Sequence, residues 1–282
     1  MPLITIKDDF HLQKIAESGQ CFRAYEMTEG IYRFIATDHV IDMQNVEDNI
    51  FSISCSAAEW DMFWSKYFDI QTNYAEIRKQ FYDFAKGKPF EDYLKDAIDY
   101  GIGIRILRQD PFETLISFII SQRKNIPAIK TAVELMCQTY GKPISMTDSS
   151  EVFAFPKVDD LCKVSAFALS NLSLGYRSAY VRDALEKVKG LVVSLDDLYS
   201  SNDEDLIDML KTIKGVGDKV AACVALYAYH RFACVPIDVW IKRAIQEDFK
   251  GENVFVEFGS LAGVLQQYIF FYKRFKQREL II

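Results

Sequence analysis

Short runs of alternating apolar and polar residues dominate the chain between residues 21 and 55. Four runs rich in β-branched and aromatic residues follow one another there, with turn residues at Thr28-Glu29-Gly30 between the first two. Because alternate side chains point to opposite faces of a strand, this pattern predicts an antiparallel sheet. The runs are Cys21–Tyr25, Ile31–Ile35, Val40–Met43 and Ile50–Cys55.

A helix is predicted directly after these runs. Ser56 followed by Glu59 has the pattern of a capping box, in which two side chains satisfy amides of the first helical turn. The aromatic residues that follow recur at helical spacing, and we interpret them as core rather than as a ligand site. They are Trp60, Phe63, Trp64 and Tyr67.

Beyond about residue 100 the strand pattern gives way to helical periods. Asp110 is an N-cap, Pro111 is a first-turn proline and Glu113 is the reciprocal acid, so a helix is predicted to begin at Pro111. Further segments repeat apolar residues every three or four positions. They are Ile129–Tyr140, Ala179–Lys189, Leu206–Ile213, Val220–Tyr229, Val239–Gln246 and Ser260–Phe275.

The fold class is therefore α+β. We place residues 1–105 in an antiparallel β domain with flanking helices and residues 106–282 in an all-α domain. The sequence contains no internal repeat and no low-complexity linker. We expect the two domains to pack tightly against each other.

Composition narrows the class of protein. Of 282 residues, 50% are hydrophobic and 26% are charged, which suits folded domains rather than a disordered chain. No apolar run approaches the roughly 18 residues of a membrane helix, and residues 1–10 lack the features of a signal peptide. We expect a soluble monomer inside the cell.

The six cysteines form no Cys-x-x-Cys pair. This spacing argues against a zinc site, an iron-sulfur cluster and a disulfide framework. We expect reduced thiols that are mostly buried, and no cofactor for catalysis. The cysteines are Cys21, Cys55, Cys137, Cys162, Cys223 and Cys234.

The net charge of −7 taken alone speaks against a nucleic-acid partner, because phosphate contacts need clustered lysine and arginine. Local charge differs from this average. Residues 1–100 carry 10 basic and 18 acidic side chains, and residues 145–210 carry 6 and 12. Residues 101–144 carry 6 basic and 3 acidic side chains, and residues 211–243 carry 6 and 2. The sequence thus predicts a basic face on an acidic body, with DNA affinity that weakens as salt rises.

Residues 206–243 carry the clearest chemical signal. One helical period ends before Gly215-Val216-Gly217 and a second begins at Val220, which predicts a helix, a glycine hairpin and a second helix. Glycines at 215 and 217 allow unusual backbone conformations and leave amides uncovered at the N-terminus of the second helix, where the dipole favours an anion. A phosphate suits this position.

The hairpin sequence has two other interpretations. GVGDKVA approaches the dinucleotide-binding fingerprint, but that fingerprint needs a preceding strand, and residues 206–213 have a helical period. A plain turn between two helices is the second alternative, which the hairpin sequence by itself leaves open.

Lys219 and Asp238 form the candidate catalytic pair. Lys219 lies in the first turn of the second helix, where a cation opposes the helix dipole, so this lysine is a poor stabiliser and a candidate amine nucleophile. Asp238 is suited to be the N-cap of the helix that begins near Val239. An amine and a carboxylate together meet the needs of displacement at a sugar C1′. The alternatives are a solvated or phosphate-pairing lysine and a purely structural cap.

The sequence KGVGDK followed by VPIDV resembles the superfamily of helix-hairpin-helix DNA glycosylases, which carry this hairpin, a Gly/Pro-rich loop and a catalytic aspartate. Further blocks, in the same order along the chain, resemble the 8-oxoguanine DNA glycosylase/AP lyase family. They are Ser18-Gly19-Gln20-Cys21-Phe22-Arg23, Leu107-Arg108-Gln109-Asp110-Pro111, Leu174-Gly175-Tyr176-Arg177 and Ala262-Gly263-Val264-Leu265-Gln266 continuing to Phe270.

This resemblance implies a TBP-like N-terminal antiparallel sheet domain packed on an all-α helix-hairpin-helix core, with a final helix at 260–276 that helps to form the base pocket. It implies that Lys219 forms a Schiff base with the sugar and that Asp238 assists. The carbonyl of Gly19 would accept the N7 hydrogen that 8-oxoguanine has and guanine lacks. The alternative for Gly19 is an ordinary turn glycine.

The resemblance also implies how the flipped base is held. Gln266 would bind its Watson–Crick edge, and Phe270 and Cys223 would enclose its rings. Ordinary core positions are the alternative for Phe270 and Cys223. Tyr176 and Arg177 resemble residues that wedge into the duplex.

The implied ligands of the glycine hairpin are a DNA phosphate and a metal ion. Gly215 and Gly217 would face the phosphate. Backbone carbonyls of Lys211, Ile213 and Val216 would hold a structural monovalent or divalent cation.

The chain departs from vertebrate members of the family at the site that reads the opposite base. Of three consecutive asparagines only Asn125 remains, after Arg123 and Lys124, and Ala128 stands where an arginine would read cytosine. We predict weaker discrimination of the opposite base, with Arg123 and Lys124 adding backbone attraction. Trp240 replaces the family's histidine two residues after the aspartate, which predicts changed packing or an altered phosphate contact.

The sequence as a whole predicts a bifunctional enzyme that binds double-stranded DNA containing 8-oxoguanine, excises the base and nicks the strand by β-elimination. Two alternatives remain. One is a helix-hairpin-helix glycosylase for another lesion, such as an alkylated purine, and the other is a non-catalytic DNA-binding protein.

Overall fold

A five-stranded antiparallel sheet forms the N-terminal part of the protein in this computed structural model, which describes residues 1–146 and 150–279. The strand order is β1-β5-β4-β3-β2, and the predicted sheet is confirmed. The edge strand β1 was not predicted, because three residues are too few for a period. The strands are β1 Leu3–Thr5, β2 Ala24–Thr28, β3 Ile31–Ala36, β4 His39–Glu47 and β5 Ile50–Ile53.

Helices make up most of the remaining structure. Those that flank or follow the sheet are α1 Leu12–Glu17, α2 Ala57–Glu59, α3 Ser65–Tyr67, α4 Tyr74–Ala85 and α5 Glu91–Gly101. The next are α6 Pro111–Ser121, α7 Ile126–Tyr140, α8 Val158–Cys162, α9 Ala166–Leu169 and α10 Arg177–Lys189. The last are α11 Asp203–Lys211, α12 Asp218–Tyr227, α13 Val239–Arg243, α14 Phe255–Phe258 and α15 Ala262–Glu279. π-helical turns at Trp60–Trp64 and Ala244–Asp248 continue α2 into α3 and extend α13.

The predicted helix starts are present. The Ser56 side chain accepts the Glu59 amide, and the Asp110 side chain accepts the Glu113 amide at 2.8 Å. The predicted reciprocal bond of Glu113 is absent, because its carboxylate instead accepts the Thr37 amide at 2.8 Å. Burial raises the pKa of Glu113 to about 7.

The part predicted to be all-α contains one small sheet. Strands β6 (Pro143–Ile144) and β7 (Val152–Phe153) pair as a two-residue antiparallel ladder. The Phe155 amide donates to the Thr37 carbonyl at 2.8 Å and so ties this ladder to the N-terminal sheet.

Two clusters of buried side chains divide the chain earlier than the predicted boundary at 105/106. One lies under the sheet and gathers residues from Ile6 to Phe68, and the other takes nearly everything from Tyr74 onward. Helices α4 and α5 thus pack with the helical core, and α5 packs along α15. The boundary at 105/106 remains a prediction.

An extended segment at residues 104–107 joins the two cores. Ile104 and Ile106 are buried in the helical core, whereas Leu107 is buried in the sheet core. Arg105 is fully buried, and its guanidinium donates to the Asp69 carbonyl at 2.7 Å and pairs with Asp8 at 3.1 Å. The domains are therefore joined by buried backbone and charge, which agrees with the tight packing that was expected.

All six cysteines are unpaired, and four of them are buried. Within residues 1–146 and 150–279, no group of three or more His, Cys, Asp or Glu side chains could hold a metal ion. No helix within the same ranges is both long and apolar enough to cross a membrane.

Candidate active site and DNA-facing groove

The glycine hairpin lies between α11 and α12, as predicted. Because a helix precedes the glycines, the hairpin is not a dinucleotide-binding turn. Gly215 has a φ of +81°, and a Cβ there would lie 2.2 Å from a ring carbon of Tyr180. Gly217 is different, since its φ is −100° and a Cβ would meet nothing within 4 Å. Gly215 is therefore needed for conformation and space, whereas Gly217 leaves the helix end open.

Lys219 lies in the first turn of α12 and is half-buried. Its Nζ is 4.9 Å from the ring centroid of Phe118, which stacks on Tyr227 at 5.5 Å. Cys223, one turn further along α12, is buried, and burial raises the pKa of its thiol while the nearby Lys219 ammonium opposes that shift. The ammonium is thus held between an aromatic face and a neutral thiol.

Asp238 is the N-cap of α13. Its Oδ1 accepts the Trp240 amide at 3.0 Å and the Ile241 amide at 2.9 Å, which confirms its capping position. Burial raises the pKa of Asp238, against these amides and the charge of Lys219. One carboxylate therefore both caps a helix and faces the candidate nucleophile.

A cavity of about 110 Å³ adjoins this pair. All six residues predicted for chemistry and base recognition line it, although they come from distant parts of the chain. They are Gly19, Lys219, Cys223, Asp238, Gln266 and Phe270. Their roles remain predictions, but the structure brings them together around one space.

The loop that carries Gly19 is fixed from both sides. Gly19 has a φ of +79°, and a Cβ there would lie 3.1 Å from Ile126 and 3.3 Å from Phe270. The Gln20 side chain accepts the Leu107 amide at 2.8 Å, and Gln109 donates to the Gln20 carbonyl at 2.8 Å. The first two sequence blocks of the resemblance are therefore in direct contact.

Two consecutive glutamines on α15 differ in their bonding. Gln267 accepts the Tyr227 hydroxyl at 2.6 Å and donates to the Ser18 carbonyl at 2.8 Å. Gln266 is 2% exposed, and its Oε1 has no hydrogen-bond partner among the described residues. A buried carbonyl without a donor is unfavourable by about 1–3 kcal/mol. Gln266 lines the cavity, so this unpartnered acceptor belongs to a residue of the cavity wall.

A groove of about 970 Å³ opens beside the cavity and includes the hairpin. Its lining contains Arg123, Lys124, Lys219 and Lys242. Of its acidic side chains, Asp238 caps α13, and Asp218 pairs with Lys211 at 2.7 Å. The two basic stretches of the sequence thus meet in one groove, as the predicted basic face requires.

Tyr176 and Arg177, which were predicted to wedge into the duplex, differ in their exposure. Tyr176 is 49% exposed and available to a duplex. Arg177 is 8% exposed, and its Nε donates to the Gln122 carbonyl at 2.7 Å. The prediction that Arg177 wedges into the duplex does not match this placement, and we correct it to a residue that holds the loop between α6 and α7.

Asn125 and Trp240 also take part in local structure. Asn125 is exposed, and its side-chain oxygen caps α7 by accepting the Ala128 amide at 2.9 Å. The Trp240 ring lies 5.3 Å from the guanidinium of Arg243. A DNA contact by either residue remains a prediction.

The carbonyls predicted to hold a cation lie in the hairpin. The Ile213 carbonyl accepts the Val216 amide at 3.0 Å, which leaves it a second lone pair for an ion. Carbonyl oxygens suit hard cations such as potassium or calcium. A cation held by the carbonyls of Lys211, Ile213 and Val216 remains a prediction.

Sequence reasoning missed several residues that line the cavity. Phe118 and Tyr227 lie in segments that were predicted only as helices, and Pro236 lies in the segment before Asp238. Lys124 was predicted to face the DNA backbone, yet it lines both cavity and groove. No local signal distinguishes these residues, because the cavity brings together side chains from separate parts of the chain.

Comparisons with known proteins agree with this geometry. The family model of the 8-oxoguanine DNA glycosylase N-terminal domain matches residues 3–115. The chain is 34% identical over 159 residues to the N-glycosylase/DNA lyase of Saccharomyces cerevisiae, which is 52% of this chain and 42% of the yeast protein. The chain thus spans less than half the length of this curated relative.

Solved structures match over nearly the whole chain. The 8-oxoguanine glycosylase/lyase of Clostridium acetobutylicum in its apo-form is 33% identical, with a TM-score of 0.88 over 96% of this chain and 95% of that one. The structure of MBOgg1 in complex with a low affinity DNA ligand is 35% identical, with a TM-score of 0.90 over 98% and 96%. The chain belongs to the 8-oxoguanine DNA glycosylase/lyase family.

Proposed function

We propose that this protein excises 8-oxoguanine from duplex DNA and then nicks the strand. The observation that carries the proposal is the cavity lined by Lys219, Asp238 and Gln266, whose buried Oε1 is unpartnered among the described residues. A site of this kind takes a base that has been flipped out of the duplex, because chemistry at its glycosidic bond needs access from the sugar side.

Lys219 acts as the nucleophile. After Nζ has given up a proton to solvent, the amine forms a bond to C1′ while the bond from C1′ to N9 of the base breaks, and the base departs with the bonding electrons and takes up the proton that the new C1′-bound ammonium releases. The bond from C1′ to O4′ then breaks, O4′ takes up a proton, and a protonated imine forms between C1′ and Nζ. Loss of a proton from C2′ expels the 3′ phosphate by β-elimination, which nicks the strand.

Asp238 stabilises the positive charge that develops on the sugar as the base departs. Because its Oδ1 is held by two α13 amides, the carboxylate is oriented before substrate binds. The Phe118 ring beneath Lys219 keeps the amine close to the sugar position, so that attack needs little rearrangement.

Recognition of the lesion rests on Gly19 and Gln266. The Gly19 carbonyl accepts the N7 hydrogen of 8-oxoguanine, and Gln266 Oε1 accepts a donor on the Watson–Crick edge. A site with unpaired buried acceptors rejects analogues that lack the donor more strongly than an apolar pocket does. Phe270 and Cys223 enclose the rings.

The groove holds the DNA backbone. Arg123, Lys124 and Lys242 attract phosphates, and the open amides at Gly217 receive one of them. A monovalent or divalent cation on the carbonyls of Lys211, Ile213 and Val216 adds positive charge beside that phosphate when bound. We place this activity where the chromosome is, in the cytoplasm or nucleoid.

Borohydride trapping tests the proposal. Wild-type protein should form a covalent complex with duplexes that contain 8-oxoguanine, Lys219→Gln should form none, and Lys163→Gln, outside the groove, should trap normally. Trapping undiminished by Lys219→Gln would refute the nucleophile assignment. Release of alkylated purines without trapping would support a glycosylase for another lesion. DNA binding without base release would support a non-catalytic DNA-binding protein.

A further inference from the structure

Helix α10 presents one face to the hairpin along about two turns, from Tyr180 to Lys187. Tyr176 at its N-cap is followed at helical spacing by Tyr180, Asp183 and Lys187. Tyr180 packs against Gly215, as the blocked Cβ position shows, and its ring also meets that of Tyr176 at 5.6 Å. One face of α10 thus runs from the exposed wedge candidate to the rear of the hairpin.

Asp183 and Lys187 bond to the hairpin backbone itself. Asp183 Oδ2 accepts the Lys214 amide at 2.7 Å. Lys187 Nζ donates to the Thr212 carbonyl and pairs with the same Asp183 oxygen at 3.0 Å. Both side chains are about one-quarter exposed, and neither lines the cavity or the groove.

We propose that Asp183 and Lys187 are positioning residues, which fix the hairpin from behind so that its amides and Lys219 meet the DNA in one geometry. The proposal rests on the proposed function, because it concerns how that DNA-binding hairpin is held. Lys214 lies three residues before the Gly217 cap and five before Lys219, so a shift of the Lys214 amide displaces both.

An effect of the Asp183 charge alone and a positioning role of Asp183 predict opposite changes in DNA affinity when this residue is removed. Removing the negative Asp183 near a bound phosphate would strengthen DNA binding if the residue acted only through its field. If Asp183 positions the hairpin, its loss instead weakens binding, because the open amides lose their fixed spacing. The sign of the effect of Asp183→Ala therefore separates the two accounts.

The chain offers a matched control on α5. Glu91 accepts the Gly87 amide at 2.6 Å and pairs with Lys95 one turn later, the same arrangement of an acid, a backbone amide and a lysine. No residue of α5 lines the groove or the cavity. Glu91→Ala thus measures what the motif contributes to the fold without any contact to the hairpin.

The experiment measures affinity for a duplex with a tetrahydrofuran abasic analogue, which Lys219 cannot attack, at several KCl concentrations, beside the Tm of each variant. Asp183→Ala should bind roughly 10-fold more weakly, while Asp183→Asn should recover most of the affinity because its carbonyl can still accept the Lys214 amide. Lys187→Met should also bind more weakly, and Glu91→Ala should bind like the wild type. The slope of log Kd against log salt should stay unchanged for Asp183→Ala, since no lysine or arginine of the groove is removed.

Equal or tighter binding by Asp183→Ala would overturn the inference and leave the proposed function standing. A fall in its Tm well beyond that of Glu91→Ala, with no recovery by asparagine, would also overturn it, because the residue would then support the fold at large. A wild-type protein that does not bind the duplex would instead refute the proposed function.

Discussion

Replacing Gln266 with methionine should leave the free protein at least as stable as the wild type while slowing base excision. Gln266 Oε1 is buried without a partner among the described residues, and methionine fills a similar volume without that oxygen. In the free protein the substitution removes a buried acceptor that has no hydrogen-bond partner, and in the complex it removes a favourable contact with the base. Stability and activity should therefore move in opposite directions.

The magnitude follows from the buried carbonyl. An unsatisfied acceptor destabilises the folded state by about 1–3 kcal/mol, so the free energy of unfolding of Gln266→Met should rise by up to that amount. In the complex, Gln266→Met removes the proposed hydrogen bond between Oε1 and the flipped base. This loss raises the activation barrier of base excision by about 1–3 kcal/mol, which lowers kcat/KM roughly 5- to 150-fold.

Gln267 is the matched control, because its side chain bonds within the protein. Gln267→Met leaves the buried Tyr227 hydroxyl and the Ser18 carbonyl without their partner. Two such losses destabilise by about 2–6 kcal/mol, and the Tm should fall by about 4–15 °C.

Thermal unfolding and single-turnover excision on an 8-oxoguanine duplex check both predictions. A Gln266→Met variant that loses as much Tm as Gln267→Met would show that its oxygen has a structural partner. Unchanged excision by a well-folded Gln266→Met would show that the base makes no use of that oxygen. Either result would contradict the proposed role of Gln266.

Three further predictions concern the catalytic pair, the hairpin and the opposite base. Burial raises the pKa of Asp238, and excision needs the carboxylate, so the excision rate should fall as the pH drops through that raised pKa. Asp238→Asn should keep the Tm, because asparagine caps a helix equally well, but its single-turnover rate should fall about 100-fold or more. Gly215→Ala, forced against Tyr180 at positive φ, should destabilise by more than about 2 kcal/mol, whereas Gly217→Ala should keep the Tm and weaken only DNA binding, as denaturation and anisotropy would show. Excision opposite cytosine should exceed excision opposite adenine only modestly, and Ala128→Arg should widen that ratio; a large wild-type ratio would show that cytosine is read elsewhere.

Local signals predicted the features that depend on neighbouring residues. Ser56 and Asp110 cap helices because the bonded amides lie three residues away, and Gly215 is required by its own φ. The same signals were present at Asn73, which caps α4 through the Glu76 amide, but this helix was not assigned. The apolar residues of α4 recur at helical spacing after this cap, so the sequence does contain the signal for this helix.

Long-range contacts could not be predicted in the same way. Arg177 is buried because a backbone carbonyl 55 residues earlier accepts its guanidinium, and a carbonyl leaves no mark in a sequence. The partner of His230 cannot be inferred from its sequence neighbours, because the almost buried ring lies 3.1 Å from Asp69, which is far away in the sequence. The side chains that meet around the cavity were placed by resemblance, whereas the orphan oxygen of Gln266 became visible only in three dimensions.

Gln109 joins the loop that carries Gly19, the proposed base-recognition residue, to helix α12, which carries the proposed nucleophile Lys219. Its amide donates to the Tyr227 carbonyl at the end of α12, and its side chain donates to the carbonyl next to Gly19. One residue therefore sets the spacing between lesion recognition and chemistry. The two domains should therefore not be exchangeable between related enzymes. In a chimera joined at the domain boundary, one parent would supply the loop that carries Gly19, and the other would supply the residue that sets the distance between this loop and Lys219.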